Sequence, residues 1–308
     1  MVQRQLDQLH AIASRPDEGQ PSLTSIASLT SPSASAQQPP PRRRTGRRAL
    51  AWATALIVFS GPGHDTDLAA RLRARGIHVT VYDTKDGGHR HDVLRDGLGD
   101  HIESTILRGD YDIVFLATPC SSYSVAHRPQ LRSRRSPKGI EGANPSWKRY
   151  LEKHNALCEL TARLILAAHR AGVGWALENP ADRGNRASKA WWPKYADHAP
   201  IFITQPIRDA ARTTGASTRT FAQCSFGAEV QKWTSILHSA SLDEELTELD
   251  SLGCRHGTAP HEGQAHGRDE DGTSRAAAAA AYPPAMNEFL ADAFARFARR
   301  AACLVSPC

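Results

Sequence analysis

The feature that most narrows what this chain can fold into is a recurring unit of short apolar strand, turn and amphipathic helix that begins at Leu56-Ile57-Val58-Phe59. The β-branched run breaks into Ser60-Gly61-Pro62-Gly63-His64-Asp65, and a helix with Leu68 and Leu72 on one face is predicted over Asp65–Arg75. Gly76 stops that helix, and Ile77–Tyr82 reads as a second strand closed by Asp83. A helix is predicted over Leu98–Leu107, a strand over Asp112–Ala117, a buried helix over Tyr150–Ala171 and, past Gly172, a strand over Val173–Leu177. His91-Asp92-Val93 sits where a short extra strand could end. Units of this length join parallel strands through helices. A doubly wound, mostly parallel α/β sheet is therefore expected, with ligands at the carboxyl ends of its strands.

Those carboxyl ends carry the unusual residues. Gly61 and Gly63 let a ligand approach the backbone closely, although G-x-G alone fits an ordinary turn as well as a cofactor loop. Asp83, about twenty residues further on, stands where an acidic residue can bind ribose hydroxyls in a doubly wound fold. The third strand ends in Thr118-Pro119-Cys120-Ser121-Ser122-Tyr123-Ser124 and the fourth in Glu178-Asn179-Pro180. One offers a thiol, the other a carboxyl, and the three loops should converge over one cleft. A basic loop follows the thiol, with Arg128, Arg132, Arg134, Arg135 and Lys138 and then Lys148 and Arg149. Such a loop could favour the thiolate and hold phosphates. On spacing alone, Cys120 reads equally as a buried structural thiol and Glu178 as a capping or ion-paired carboxylate.

The surroundings bound the setting. Residues 1–48 are rich in Ser, Pro, Gln and Ala and end in a basic run, so a disordered tail is expected. Arg42 to Arg48 fits a nuclear import signal, a nonspecific phosphate contact or a plain solvated linker. The six cysteines form no C-x-x-C pair and follow no secretory signal, which points to a reducing intracellular compartment. The longest apolar run, Ala49 to Phe59, is too short for a membrane span. A net charge of +6 suits a polyanionic partner.

Taken together, Phe59-Ser60-Gly61-Pro62-Gly63, Pro119-Cys120 and Glu178-Asn179-Pro180 resemble the first, fourth and sixth motifs of the DNA cytosine-5 methyltransferase family. Tyr282-Pro283-Pro284-Ala285-Met286-Asn287-Glu288 resembles its last motif, and the similarity runs in islands over roughly residues 55–300. The resemblance implies a class I S-adenosylmethionine-dependent methyltransferase fold and methyl transfer to C5 of cytosine in DNA through a covalent Cys120 adduct, with Glu178 as carboxyl partner. It places S-adenosylmethionine against Phe59, Ser60, Gly61, Gly63, Asp83, Asp92 and Pro119, with Asp83 on the ribose and Asp92 on the adenine. It makes Arg219, in Ser217-Thr218-Arg219-Thr220-Phe221, the counterpart of a family arginine that contacts the base. Ser124, Arg128, Arg132, Arg134, Arg135, Asn179 and Lys232 are the candidate substrate contacts. A base inside a duplex cannot reach such a site, so it must be flipped out or presented single-stranded.

The chain then divides into the tail, an α/β domain over 49–238, a short acidic and Gly/His-rich insert over 239–275, and a C-terminal helix over 276–308 that closes the cofactor pocket. The family's long recognition insert has no counterpart here. Target choice is accordingly loose, made by the basic loop, or supplied by a partner to a chain expected to be monomeric. Cys254, His256, His261 and His266 have spacings that a tetrahedral zinc site could use but match no finger pattern, so a histidine-rich surface loop without metal is expected. Two rival readings keep the fold: a nucleic-acid-binding module that has lost its chemistry, and a methyltransferase acting on RNA or a free nucleotide.

Overall fold

A computed structural model of the chain describes residues 53–254, the single positions 256, 261, 263, 267 and 275, and residues 280–305. The expected tail, the arginine run at 42–48 and His266 lie outside the described residues. Six strands are found among the described residues: β1 Thr54–Val58, β2 His78–Tyr82, β3 Ile113–Leu116, β4 Gly174–Pro180, β5 Ser217–Ala222 and β6 Trp233–His238. They form one sheet in the order β2-β1-β3-β4-β6-β5. The β1–β2, β1–β3 and β3–β4 pairs are parallel, whereas β6 runs antiparallel to both β4 and β5. This is the expected doubly wound, mostly parallel sheet, with one reversed strand near an edge.

The helices that cross over this sheet are α1 Leu68–Ala74, α2 Leu98–Leu107, α3 Pro145–Ala171, α4 Gln205–Thr214 and α5 Pro284–Val305. Side chains alternate across each strand, so the sheet has a core on both faces. Leu56, Val58, Val114, Leu116, Trp175 and Leu177 face α2, α3 and α4. Ala55, Ile57, Ile113, Phe115, Ala176 and Ile236 face α1 and α5. Burial on both sides explains why these strands read as nearly continuous apolar runs.

Several boundaries differ from the sequence reading, each for a local reason. The first helix starts at Leu68 because Asp67 caps it, accepting from Ala70 N at 2.7 Å and from His64 N at 3.1 Å. The long helix starts at Pro145, five residues early, because Asn144 accepts from Trp147 N and Pro145 suits the first turn. Its expected end holds, with Gly172 in the left-handed conformation. His91-Asp92-Val93 does not end a strand: Gly88–His91 is a 3-10 turn that Asp92 follows. The fourth strand continues through Glu178, Asn179 and Pro180, because β6 supplies it with partners at Ile236, Ser235 and Thr234.

The C-terminal helix returns to the glycine loop's side of the sheet. Arg75 on α1's C-terminal edge reaches Glu288 at 2.7 Å and Asp292 at 2.8 Å, and Asn287 Nδ2 donates to the Thr66 carbonyl at 2.9 Å. Phe294 packs on Phe115 with ring centroids 5.8 Å apart. Among the described residues no helix is long and apolar enough to cross a membrane.

Candidate active site

The loop after β3 is held from every side. Thr118, at the strand's end, is buried; its hydroxyl meets that of Thr161 on α3, and its carbonyl accepts from Asn179 Nδ2 at 2.7 Å. A 3-10 turn follows, with Tyr123 N donating to the Cys120 carbonyl at 2.8 Å. Tyr123 is buried, with its hydroxyl on the His154 carbonyl. His198 closes the far side: Arg183 N donates to its Nδ1 at 3.2 Å, which leaves Nε2–H to donate to the Tyr123 carbonyl at 2.7 Å. Burial holds the His198 ring below the ordinary imidazole pKa, in keeping with that neutral tautomer. The outcome is a partly exposed Cys120 thiol on a rigid loop.

Cys120 lines a cleft that it shares with Ser124, Pro180, Arg183, Lys232 and Trp233. The ends of β3 and β4 and the start of β6 therefore meet, as the parallel order requires. Burial pushes the Cys120 thiol pKa up. Nearby Lys232 opposes that most strongly, Glu178 adds to it, and Lys85 opposes it again. The thiol thus stands in a pocket that resists its charge, beside two cations that favour it.

Glu178 is buried, and Tyr282 from the chain's last quarter donates its hydroxyl to Oε2 at 2.7 Å. Its other oxygen, Oε1, is buried without a hydrogen-bond partner among the described residues. Burial first, and then the Glu178 charge, push the Tyr282 phenol pKa far up, so Tyr282 keeps its proton. Lys232 Nζ stands 5.4 Å from the centre of the Tyr282 ring. Thiol, carboxyl, phenol and ammonium form one electrostatic group, in which Glu178 Oε1 is the carboxyl oxygen with no hydrogen-bond partner among the described residues.

The glycine loop leaves β1 through Phe59, a non-glycine residue at φ 71°, whose N–H donates to the Tyr82 carbonyl. Strain of this kind collects at functional sites. Gly61 follows at φ 80°, with nothing within 4 Å of where a Cβ would stand. Asp83 accepts from Gly61 N at 2.8 Å through one oxygen and from Lys85 N at 2.7 Å through the other. It fixes the loop as well as facing it. Ser60 turns its hydroxyl onto the Gly61 carbonyl, Gly63 is exposed, and Asp92 is half-buried with Oδ1 on Leu94 N.

Other candidates lie elsewhere. Arg219 is turned away from the cleft: its guanidinium is bound by Asp243, Asp250 and Thr247, and β6 with its buried Ile236 stands between it and Glu178. Arg132 is buried, stacked 4.0 Å over the Tyr123 ring and bonded to Ser122, Asn155 and the Pro137 carbonyl, so it braces the loop instead of meeting a substrate. Arg134 is committed to Asp182 and the His198 carbonyl. Asn179, fully buried, acts on Thr118. Arg128 and Arg135 are exposed beyond the cleft, and Ser124 and Lys232 line it. Among the described residues Cys254, His256 and His261 do come together, with Cys224 as a fourth member. The sequence reading missed Tyr282 as a partner of Glu178, the His198 clamp and Cys224; an aromatic residue in a motif already singled out was the one available signal.

No protein-family model and no curated protein sequence matches this chain. Among solved structures it is similar to the crystal structure of the S. pombe Dnmt2 methyltransferase, with a TM-score of 0.33 and 8% identity over 61% of this chain and 49% of that one. The chain thus spans about half the length of that structure.

Proposed function

We propose that this protein transfers a methyl group from S-adenosylmethionine to C5 of cytosine in DNA, with Cys120 as nucleophile. The observation that carries this reading is the unpartnered, buried Oε1 of Glu178, in one electrostatic group with the Cys120 thiol at the carboxyl end of the sheet. Cytosine C6 is a poor electrophile, so addition needs a thiolate and a group that answers the charge the ring acquires. The Cys120 sulfur gives up its thiol proton and bonds to C6 as the C5–C6 double bond opens. The displaced electron pair moves through the ring to N3, which takes up that proton by way of Glu178 Oε1, the carboxyl oxygen with no hydrogen-bond partner among the described residues. Tyr282 holds the other carboxyl oxygen and fixes the angle of approach.

The cofactor's residues fit. Gly61 offers an open backbone face, and Asp83 presents a carboxylate beside it at the end of β2. Phe59, Ser60 and Gly63 complete that loop, and Asp92 and Pro119 would flank the bound group. When bound, S-adenosylmethionine supplies the electrophilic methyl that C5 accepts. The C5 proton then passes to solvent, the C5–C6 double bond re-forms as the Cys120 sulfur departs, and the N3 proton returns by way of Glu178 Oε1 to the departing thiolate, which restores the aromatic ring.

The test is incubation with labelled cofactor and DNA, followed by mass spectrometry of the released nucleosides. Labelled 5-methylcytosine is expected from wild type and none from Cys120→Ala, which should still bind the cofactor by calorimetry. Equal product from Cys120→Ala would remove the mechanism. Label found only in RNA or free nucleotide would keep the chemistry and change the substrate.

A further inference from the structure

Beside the cleft, four side chains with metal-binding atoms meet outside the group just described. One ligand atom from each of Cys224, Cys254, His256 and His261 lies within 4.8 Å of the other three. His261 Nε2 is 3.4 Å and His256 Nδ1 3.9 Å from Cys254 Sγ. In a tetrahedral zinc site with the usual bond lengths, neighbouring ligand atoms stand about 3.3 to 3.8 Å apart. The observed spacings need only a small contraction to close around an ion.

The described backbone on either side of these groups is hydrogen-bonded in place. Cys224 sits in the 3-10 turn that ends β5, where Ala222 N donates to the Leu252 carbonyl at 3.4 Å and Ser225 Oγ donates to the Gly253 carbonyl. Beyond the two histidines, Gly263 N donates to the Glu229 carbonyl at 3.0 Å. Gln231 lines the cleft and directs its side-chain amide at Cys254 Sγ, 3.9 Å away, as an outer partner of a metal-bound thiolate does.

From this geometry we infer that Cys224, Cys254, His256 and His261 bind one zinc ion, which fastens the insert after β6 to the end of β5 at the rim of the cleft. The donor set is closed, two sulfurs and two imidazole nitrogens, so the site is structural and leaves no coordination position for a substrate. Binding deprotonates both thiols and releases two protons; the two thiolate charges then balance the ion. The site acts where the chain has no long recognition insert. It holds the turn before Lys232 and Trp233 in register with the cleft.

The experiment uses the untagged full chain, dialysed against metal-free buffer and analysed for metal by elemental mass spectrometry. One zinc per chain is expected. Cys224→Ser, Cys254→Ser and His261→Ala should fall toward background, while Cys158→Ser, a thiol outside the cluster, keeps its zinc. Because a ligand variant can lose metal by failing to fold, wild type reconstituted with cobalt supplies a second measurement. The thiolate-to-cobalt charge-transfer band and the intense visible absorption of a tetrahedral site are expected. Wild type that takes up no stoichiometric zinc, a cobalt spectrum of a six-coordinate aquo ion, or unchanged zinc in the cysteine variants would each overturn the site. None of these readouts involves methyl transfer, so they stand or fall apart from the proposed activity.

Discussion

Cys120 and Lys232 bear on each other at the residue scale. Because burial raises the thiol pKa and Lys232 is the leading influence against it, the thiolate fraction at neutral pH depends on that ammonium. The rate of methyl transfer should climb as pH rises through the alkaline range. Lys232→Met should move that climb further alkaline and cost on the order of tenfold at neutral pH, read from a pH–rate profile of single turnovers. An unshifted profile would exclude Lys232 from the thiol's electrostatics. Tyr282→Phe removes one hydrogen bond to the buried Glu178 and little volume, so a loss of about 10- to 100-fold in turnover is expected together with about 1–3 kcal/mol of stability in a denaturant melt. His154 gives a separate titration. Burial holds its pKa down at about 4, against the ordinary value of 6.5. The folded ring therefore stays neutral where the unfolded chain takes up a proton. Its contribution is fully present above pH 6.5, declines as pH falls toward 4, and amounts to roughly 3 kcal/mol once lost. Denaturant melts of wild type and His154→Gln across that window should converge toward acid pH.

At the scale of elements, β4 shows how the strands deliver the chemistry. Its first four residues pack in the core, and its last three, still paired to β6, hold the buried Glu178 and Asn179 behind the cleft that Pro180 lines. A carboxylate on a paired strand is held more firmly than one on a loop. Asn179→Ala should release the Thr118 carbonyl and loosen the Cys120 loop, costing about 1–3 kcal/mol of stability in a denaturant melt and slowing turnover together. The sequence reading ended β4 at Leu177 because the apolar run stops there. No periodicity in one strand reveals that an antiparallel neighbour will extend it. Leu98–Leu107 was legible to the residue because its apolar face is regular. The places of Cys120 and Glu178 at the ends of apolar runs were legible, because each follows a strand core. Tyr282 was not, since it meets Glu178 across 104 positions with no intervening pattern. Arg219 misled for the complementary reason: a strand pattern says nothing about which acids will face an arginine, and here Asp243 and Asp250 claim it.

At the scale of the whole molecule, the +6 charge divides into cations that hold the fold and cations left to a partner. Arg132 and Arg134 belong to the first group. Arg135, exposed on the basic loop, belongs to the second, and the exposed Arg128 to both, since its Nη1 donates to the Val125 and His127 carbonyls. If a nucleic acid lies across the cleft, its affinity should fall steeply with salt. Replacing both exposed arginines by alanine should flatten the log–log slope by about two, since each phosphate contact contributes roughly 0.9. Titrations at several salt concentrations would read this, and a flat dependence in wild type would rule out a polyanionic substrate. The bond between Tyr282 and Glu178 has one more consequence, in time instead of space. A ribosome delivers Cys120 and Glu178 well before Tyr282, so the contact that holds the carboxyl can form only after the chain has been made past that phenol. The same final stretch supplies Met286, Leu290 and Phe294 to the core on one face of the sheet, so completion of that core and orientation of the carboxyl come together.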